Sequence, residues 1–345
     1  MRRRLKQLLP WVLSLGFVAY LVLTTHMSKV GHALEHADWP RLLGFMTFVV
    51  VLSFVADTAT LVPLLRRFVA PTTFREVVAI KGVSYFLNAV NYSLAAGGMA
   101  WIFHRKHGVP FLRAFSALIW FFFVDVIALA VMLTLGVLLG RDVLASGPFA
   151  DTVPIVLAVV WGIVAAAFLY WNLGVDLKVF AFFRKWRIFQ IFAEATLRDY
   201  LVFTGLRVLF ISVYVLMHWL LLPAFGVDIP LPMLLVYTPL ITFVIVIPAT
   251  MSGLGAAQTV MVALFAPHVG LDPAASAAVI LAYSTVIGPL MAVTRLVIGY
   301  IYMATITRDI VPTEEAIERQ RRSEEEGTSP SPSGPSSRAV GTSDT

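Results

Sequence analysis

Five charged side chains stand inside long apolar stretches of this chain: Asp57, Lys81, Asp125, Arg207 and Arg295. A charge at membrane depth is expensive to keep, so each is a candidate functional group by default. Lys81, Arg207 and Arg295 are donors suited to a phosphate-bearing headgroup, and the arginines can grip one with two parallel N–H···O bonds. Asp57 and Asp125 read as counter-ions for those cations, or as proton carriers that couple transport to a gradient. The alternative is that the five only neutralise one another, with Lys81 and Arg207 reaching toward the nearer surface along their aliphatic stems.

Polar and small residues interrupt the same stretches. Residues 88–108 read NAVNYSLAAGGMAWIFHRKHG, in which Asn88, Asn91, Gly97 and Gly98 break an apolar run just before a basic cluster. Residues 248–258 read PATMSGLGAAQ and supply Ser252, Gly253, Gly255 and Gln258. Glycine lets backbone amides approach a ligand closely, and a helix broken at membrane depth must line protein or water, because lipid cannot satisfy its backbone. These eight residues are expected to line a substrate site with Lys81, Arg207 and Arg295. The alternative is that the small residues serve close helix packing.

Other chemistry finds little support. His32, Glu35 and His36 match an H-x-x-E-H zinc pattern, but they occupy a short loop with no third ligand, and no metal is expected. His104 and His107 flank Arg105 and Lys106, where contact with headgroups is the simpler reading. The sequence has no Walker loop, nucleophile elbow or kinase set. No cofactor and no enzymatic activity are expected.

What must position these residues is a membrane fold. Hydrophobic residues make up 59% of the 345 and charged ones 13%, with a mean hydropathy of +0.84, far outside the soluble globular range. Cysteine is absent, which excludes disulfide scaffolds, thiolate metal sites and thiol nucleophiles. The net charge of +6 falls in short clusters beside apolar blocks, so it points to anionic membrane lipids as partners and not to nucleic acid. Apolar blocks cover 8–25, 42–62, 76–103, 114–139, 153–171, 200–222, 232–266 and 274–302. Residues 1–311 are expected to form the integral membrane domain, and 312–345, charged and then rich in Ser, Pro and Gly, a disordered cytoplasmic tail.

Lys and Arg in short loops mark the cytoplasmic side. Arg2, Arg3, Arg4 and Lys6 place the N-terminus inside, and Arg308, Arg319, Arg321 and Arg322 place the C-terminus there too. The clusters Arg66, Arg67, Arg75 and Arg105, Lys106, Arg113 both belong inside, although an apolar block separates them. That block is expected to enter and return as a re-entrant hairpin bent near residues 92–98. Parity across 223–306 then needs three spans, or one span preceded by a second hairpin from outside. Residues 175–192 mix aromatics and bases at helical spacing, suited to a helix at the cytoplasmic lipid interface. A weak internal repeat favours the second hairpin. Both GGMAWIFHRKHGVPFLRAFSALIWF and SGLGAAQTVMVALFAPHVGLDPAASAAVILAY run from glycines through an apolar stretch to Gly and Pro, and then into a new helix. The expected fold is an all-α polytopic membrane protein of about six full spans plus two re-entrant helical hairpins, related as an inverted repeat.

At these glycine segments the chain resembles the lysylphosphatidylglycerol synthase transmembrane-region family, flippase-like membrane domains found alone or fused to an aminoacyl-transferase domain. The resemblance covers about residues 5–306. It rests on Asn91 with Gly97 and Gly98, on Asp125, and on Pro248 with Ser252, Gly253, Leu254 and Gly255. It implies an inner-membrane domain that moves or handles a lipid or lipid-linked headgroup around two re-entrant segments. The chain departs from the family pattern at two places. Ala257 and Gln258 stand where an Arg and a Glu are common, and Phe121 and Phe122 stand where a Glu–Arg pair precedes the aspartate.

Two functions are carried forward. One is a transporter for a lipid or lipid-linked anionic headgroup. The other is a non-transporting membrane partner or regulatory subunit of a lipid- or glycan-modifying enzyme, favoured by the lost charged positions and the basic amphipathic segment.

Overall fold

The computed structural model describes residues 27–90, 92–139, 150–172, 186–246 and 255–310. The chain divides into two units, Met1–Ile306 and Thr307–Thr345. Of the second, only residues 307–310, the end of the last helix, are described. Everything below concerns the first.

Among the described residues every regular element is helical. In chain order the α-helices are α1 (Met27–Glu35), α2 (Trp39–Phe68), α3 (Phe74–Val90), α4 (Tyr92–His107), α5 (Phe111–Leu139), α6 (Thr152–Asn172), α7 (Gln190–Glu194), α8 (Leu197–Leu221), α9 (Leu231–Val246), α10 (Ala256–Phe265) and α11 (Pro273–Ile310). Five are long and apolar enough to cross a membrane: α2, α5, α6, α8 with its 3₁₀ extension to Phe225, and α11. The block 8–25, expected as a first span, lies outside the described residues. So does most of the expected interfacial helix, of which the described part is the turn Arg187–Phe189 and the short α7.

Local chemistry sets the ends of the long helices. Asp38 accepts the backbone N–H of Arg41 and Pro40 opens α2. Thr196 and Asp199 cap α8 reciprocally, each side chain accepting the other's backbone N–H. Asp272 accepts from the amides of Ala274 and Ala275 ahead of Pro273 in α11. Each cap satisfies donors that the helix cannot satisfy itself.

Polar contacts define two ends of the bundle. At the basic end Arg113 donates to Phe68 O and grips Glu194 with both terminal nitrogens, while Arg67 meets Asp199. At the other end Asp38 N–H donates to Ala224 O at 2.8 Å, and Lys29 pairs with Asp272 at 3.1 Å. Between them α2, α5 and α8 bury Leu42, Met46, Leu129, Leu133 and Trp120, whose indole packs edge-on against Phe68, Tyr200 and Phe203. By contrast α6 buries only Val153 and Tyr170 and leaves its apolar surface for lipid.

The block 76–103 forms two antiparallel arms, α3 and α4. Glu76 contacts His107 at 2.7 Å and Lys106 at 3.6 Å at the open end, and Leu87 meets Gly98 near the turn. The first arm runs to Val90 and the second begins at Tyr92, so residues 92–98 are helical where the small residues suggested a bend. Gly97 and Gly98 are helical, and Gly98 is small because the Leu87 side chain fills the place of its Cβ. The second block also forms two arms, α9 and α10. Tyr237 near the start of α9 lies 3.3 Å from His268 just beyond α10, and its ring lies 6.1 Å from Phe265. The first hairpin opens at the basic end and the second at the opposite end. Each leads through a glycine with positive φ, Gly108 at 65° or Gly270 at 76°, and then a proline, into a long span. The short sequence repeat thus corresponds to two similar units of opposite direction.

Candidate functional site

Four of the five interior charges meet in one layer. The guanidinium of Arg207 on α8 donates through Nη1 to Asp57 Oδ1 on α2 at 2.5 Å and to Thr60 Oγ1 at 3.0 Å, and through Nε to Asp125 on α5. Lys81 on α3 reaches the other oxygen of Asp57 at 2.6 Å. The Arg207 side chain is 5% exposed, and its flat faces lie against two rings, Phe210 at 3.9 Å and Phe121 at 4.5 Å from the guanidinium carbon. A buried guanidinium survives only where charge and hydrogen-bonding demands are met together. Here two carboxylates, a hydroxyl and two π-faces meet them. Counting 1.5 Å of rise per residue from the basic end of each helix, the layer lies about 10 Å in for Lys81 and about 15–20 Å in for Arg207, Asp57 and Asp125.

Arg295 on α11 sits beside this layer in different company. Its Nη2 donates to Tyr214 OH at 3.2 Å, its guanidinium carbon lies 5.5 Å from the Tyr85 ring centre, and its Nε is buried with no hydrogen-bond partner. Among the described residues it makes no ion pair. Tyr85 follows Lys81 by four residues on one face of α3, and Tyr214 follows Arg207 by seven on one face of α8. The Arg295 group therefore stands about one to two helical turns beyond the ion layer, away from the basic end. Close backbone approach brings α3 to α11 here, since a Cβ on Gly299 would lie 3.1 Å from Gly82 O and one on Gly82 would lie 2.7 Å from the Tyr302 ring.

The remaining expected site residues are less gathered. Asn88 is half-buried near the end of α3, and Gly97 and Gly98 lie along α4. Asn91, Ser252 and Gly253 fall outside the described residues. Gly255 adopts a φ of 82° at the start of α10, and the amide oxygen of Gln258 accepts its N–H, closing the first turn of that helix. Among the described residues no group of three or more His, Asp or Glu is placed to hold a metal. His32 on α1 and His36 just beyond its end stack on each other at 4.0 Å.

A family model described as "Lysylphosphatidylglycerol synthase TM region" matches residues 7–293. The chain belongs to this family. No curated protein matches it. For this lysylphosphatidylglycerol synthase transmembrane-region protein the two departures noted in the sequence acquire physical content. Phe121 supplies a ring to Arg207, and Gln258 serves as a helix cap.

Sequence reasoning found all five charges but missed Tyr85, Tyr214, Thr60 and the rings of Phe121 and Phe210. Helical spacing from Lys81 and Arg207 was the available signal for the two tyrosines. It also missed His218 on α8, fully buried and 2.7 Å from Tyr283 OH, which lines a cavity of about 180 Å³ near Arg41 and Asp228 at the end away from the basic clusters.

Proposed function

We propose that this protein moves a lipid or lipid-linked anionic headgroup between the leaflets of the cell membrane. The observation that carries this reading is the buried ion layer, in which one arm of a helical hairpin contributes Lys81 to a carboxylate shared with Arg207, with a further cation, Arg295, left without a carboxylate among the described residues. Interior charge of this kind is costly and is retained where a charged substrate must be met. The hairpins opening at opposite ends support it, because inverted units with broken helices suit alternating access. The basic end faces the cytoplasm in this reading, both termini lie there, and the arms α3–α4 and α9–α10 are re-entrant. Lys81 is the cation whose partner is exchangeable. Arg207, occupied by two carboxylates, holds the layer together.

A second reading is favoured by Phe121, Phe122, Ala257 and Gln258, which stand where charged residues are common in the family. In it the protein is a non-transporting subunit of a lipid- or glycan-modifying enzyme. The purified protein in liposomes carrying a fluorescent phosphatidylglycerol decides between them. Chemical quenching from outside is expected to reach the inner-leaflet probe faster than in empty vesicles. Equal rates, with a lipid-modifying enzyme co-purifying from native membranes, establish the second reading.

A further inference from the structure

The interior charges do not cancel. Among the described residues two carboxylates, Asp57 and Asp125, face three cations, Lys81, Arg207 and Arg295, leaving one positive charge over. The surplus belongs to Arg295. Asp57 is shared by Lys81 and Arg207, and Asp125 is taken by Arg207, whereas Arg295 has a phenol, an aromatic face and a buried, unpartnered Nε. A guanidinium does not shed its proton. An incompletely compensated charge away from water is unfavourable, so the group has capacity for one negative charge from outside the chain.

We propose that Arg295, with the Tyr214 hydroxyl and the Tyr85 ring beside it, is a subsite for a phosphate ester carrying a single negative charge. This rests on the transport reading for the source of the ligand, but not for its charge. A monoanion leaves the loaded interior neutral. A dianionic monoester overshoots to a net negative site, and a zwitterionic headgroup leaves the surplus standing. The terminal nitrogens of Arg295 offer the paired donors that phosphate oxygens accept. Tyr214, already hydrogen-bonded to Arg295, holds the guanidinium in place. Because Tyr85 shares a helix face with Lys81, a headgroup passing from the ion layer to Arg295 stays along one arm of the first hairpin.

The test is thermal stabilisation of the full chain in detergent by short-chain lipids of equal tail length, well above the second ionisation of a phosphate monoester at about 6. Phosphatidylglycerol, phosphatidic acid and phosphatidylcholine then present one negative charge, two, and none net. Soluble dimethyl phosphate supplies the same diester without a lipid. The singly charged lipid is expected to bind about tenfold or more tightly than the other two, a difference of 1.4 kcal/mol. Arg295→Gln is expected to erase that preference. Arg295→Lys keeps it with weaker binding, since charge remains but the fork is lost. Tyr214→Phe, which preserves shape and carries the test should Arg295→Gln fail to fold, is expected to weaken binding about three- to tenfold. Equal binding of the three lipids, or a preference surviving Arg295→Gln, overturns the subsite. If dimethyl phosphate binds as tightly as the lipid, the subsite stands and the lipid source falls. Translocation without charge preference sinks the subsite alone, and charge preference without translocation sinks the transport reading alone.

Discussion

The two hairpins are built alike and held differently. The first, α3–α4, is tied by charge: Lys81 to Asp57 within the bundle, and Glu76 to His107 and Lys106 at its open end. The second, α9–α10, has no charged side chain from 231 to 265 and is held by shape. A Cβ on Gly136 of α5 would lie 2.8 Å from Leu235 O, so the backbones of α5 and α9 are in direct contact, and Tyr237 packs on Phe265. An ion pair can exchange one partner for a ligand of the same charge at modest cost. Close-packed backbone has no such substitute. In the proposed transport reading the first hairpin is the part that changes partners and the second the part that stays fixed.

The largest effect is expected where the charged layer is broken at its centre. Arg207→Gln leaves Asp57 with Lys81 alone and Asp125 unpaired, a cost of about 3–5 kcal/mol, read as a lowered melting temperature in detergent. Adding Asp125→Asn is expected to recover a large part of it, and a double mutant no more stable than the single would contradict the pairing. Lys81→Gln removes a charged hydrogen bond while Arg207 still holds Asp57, so about 1.5–3 kcal/mol is expected. Protease sensitivity should then rise in α3–α4 and not in α9–α10.

Gly136→Val tests the second hairpin. Overpacking against fixed backbone is expected to cost about 1–3 kcal/mol, and a neutral outcome would mean that α9 is as adjustable as α3. The smallest effect is a pH dependence at the open end of the second hairpin. Burial holds His268 below its ordinary 6.5, so the unfolded chain binds the proton more readily. Its contribution to stability is complete above 6.5 and is lost as pH falls from there through the lowered value. His268→Phe should flatten the slope of melting temperature against pH below that point.

Much of this was legible in the sequence because it rests on local quantities. The length of apolar runs marked the spans, the cost of burying charge singled out the five interior groups, and the placement of Arg66, Arg67, Arg105, Lys106 and Arg113 required the first hairpin to return to the end it left. What stayed hidden depends on tertiary approach. Nothing local pairs Arg207 with Asp57 and Asp125, 150 and 82 positions away. Asn88, Asn91 and the glycine pair read as one broken segment, whereas α3 runs to Val90, α4 is helical from Tyr92 through both glycines, and Gly98 makes room for Leu87. Phe121 read as a lost charge, and only the fold shows its ring against Arg207.

The most direct measurement compares phosphatidylglycerol translocation in liposomes by the native chain and by Arg295→Gln, with folding of both verified by melting temperature. Because Arg295 has no carboxylate to strand, its replacement is expected to leave melting within about 1 kcal/mol of native while reducing translocation to the rate of empty vesicles. Translocation by Arg295→Gln at the native rate, or unfolding as severe as that of Arg207→Gln, would contradict the assignment of a scaffold arginine and a substrate arginine.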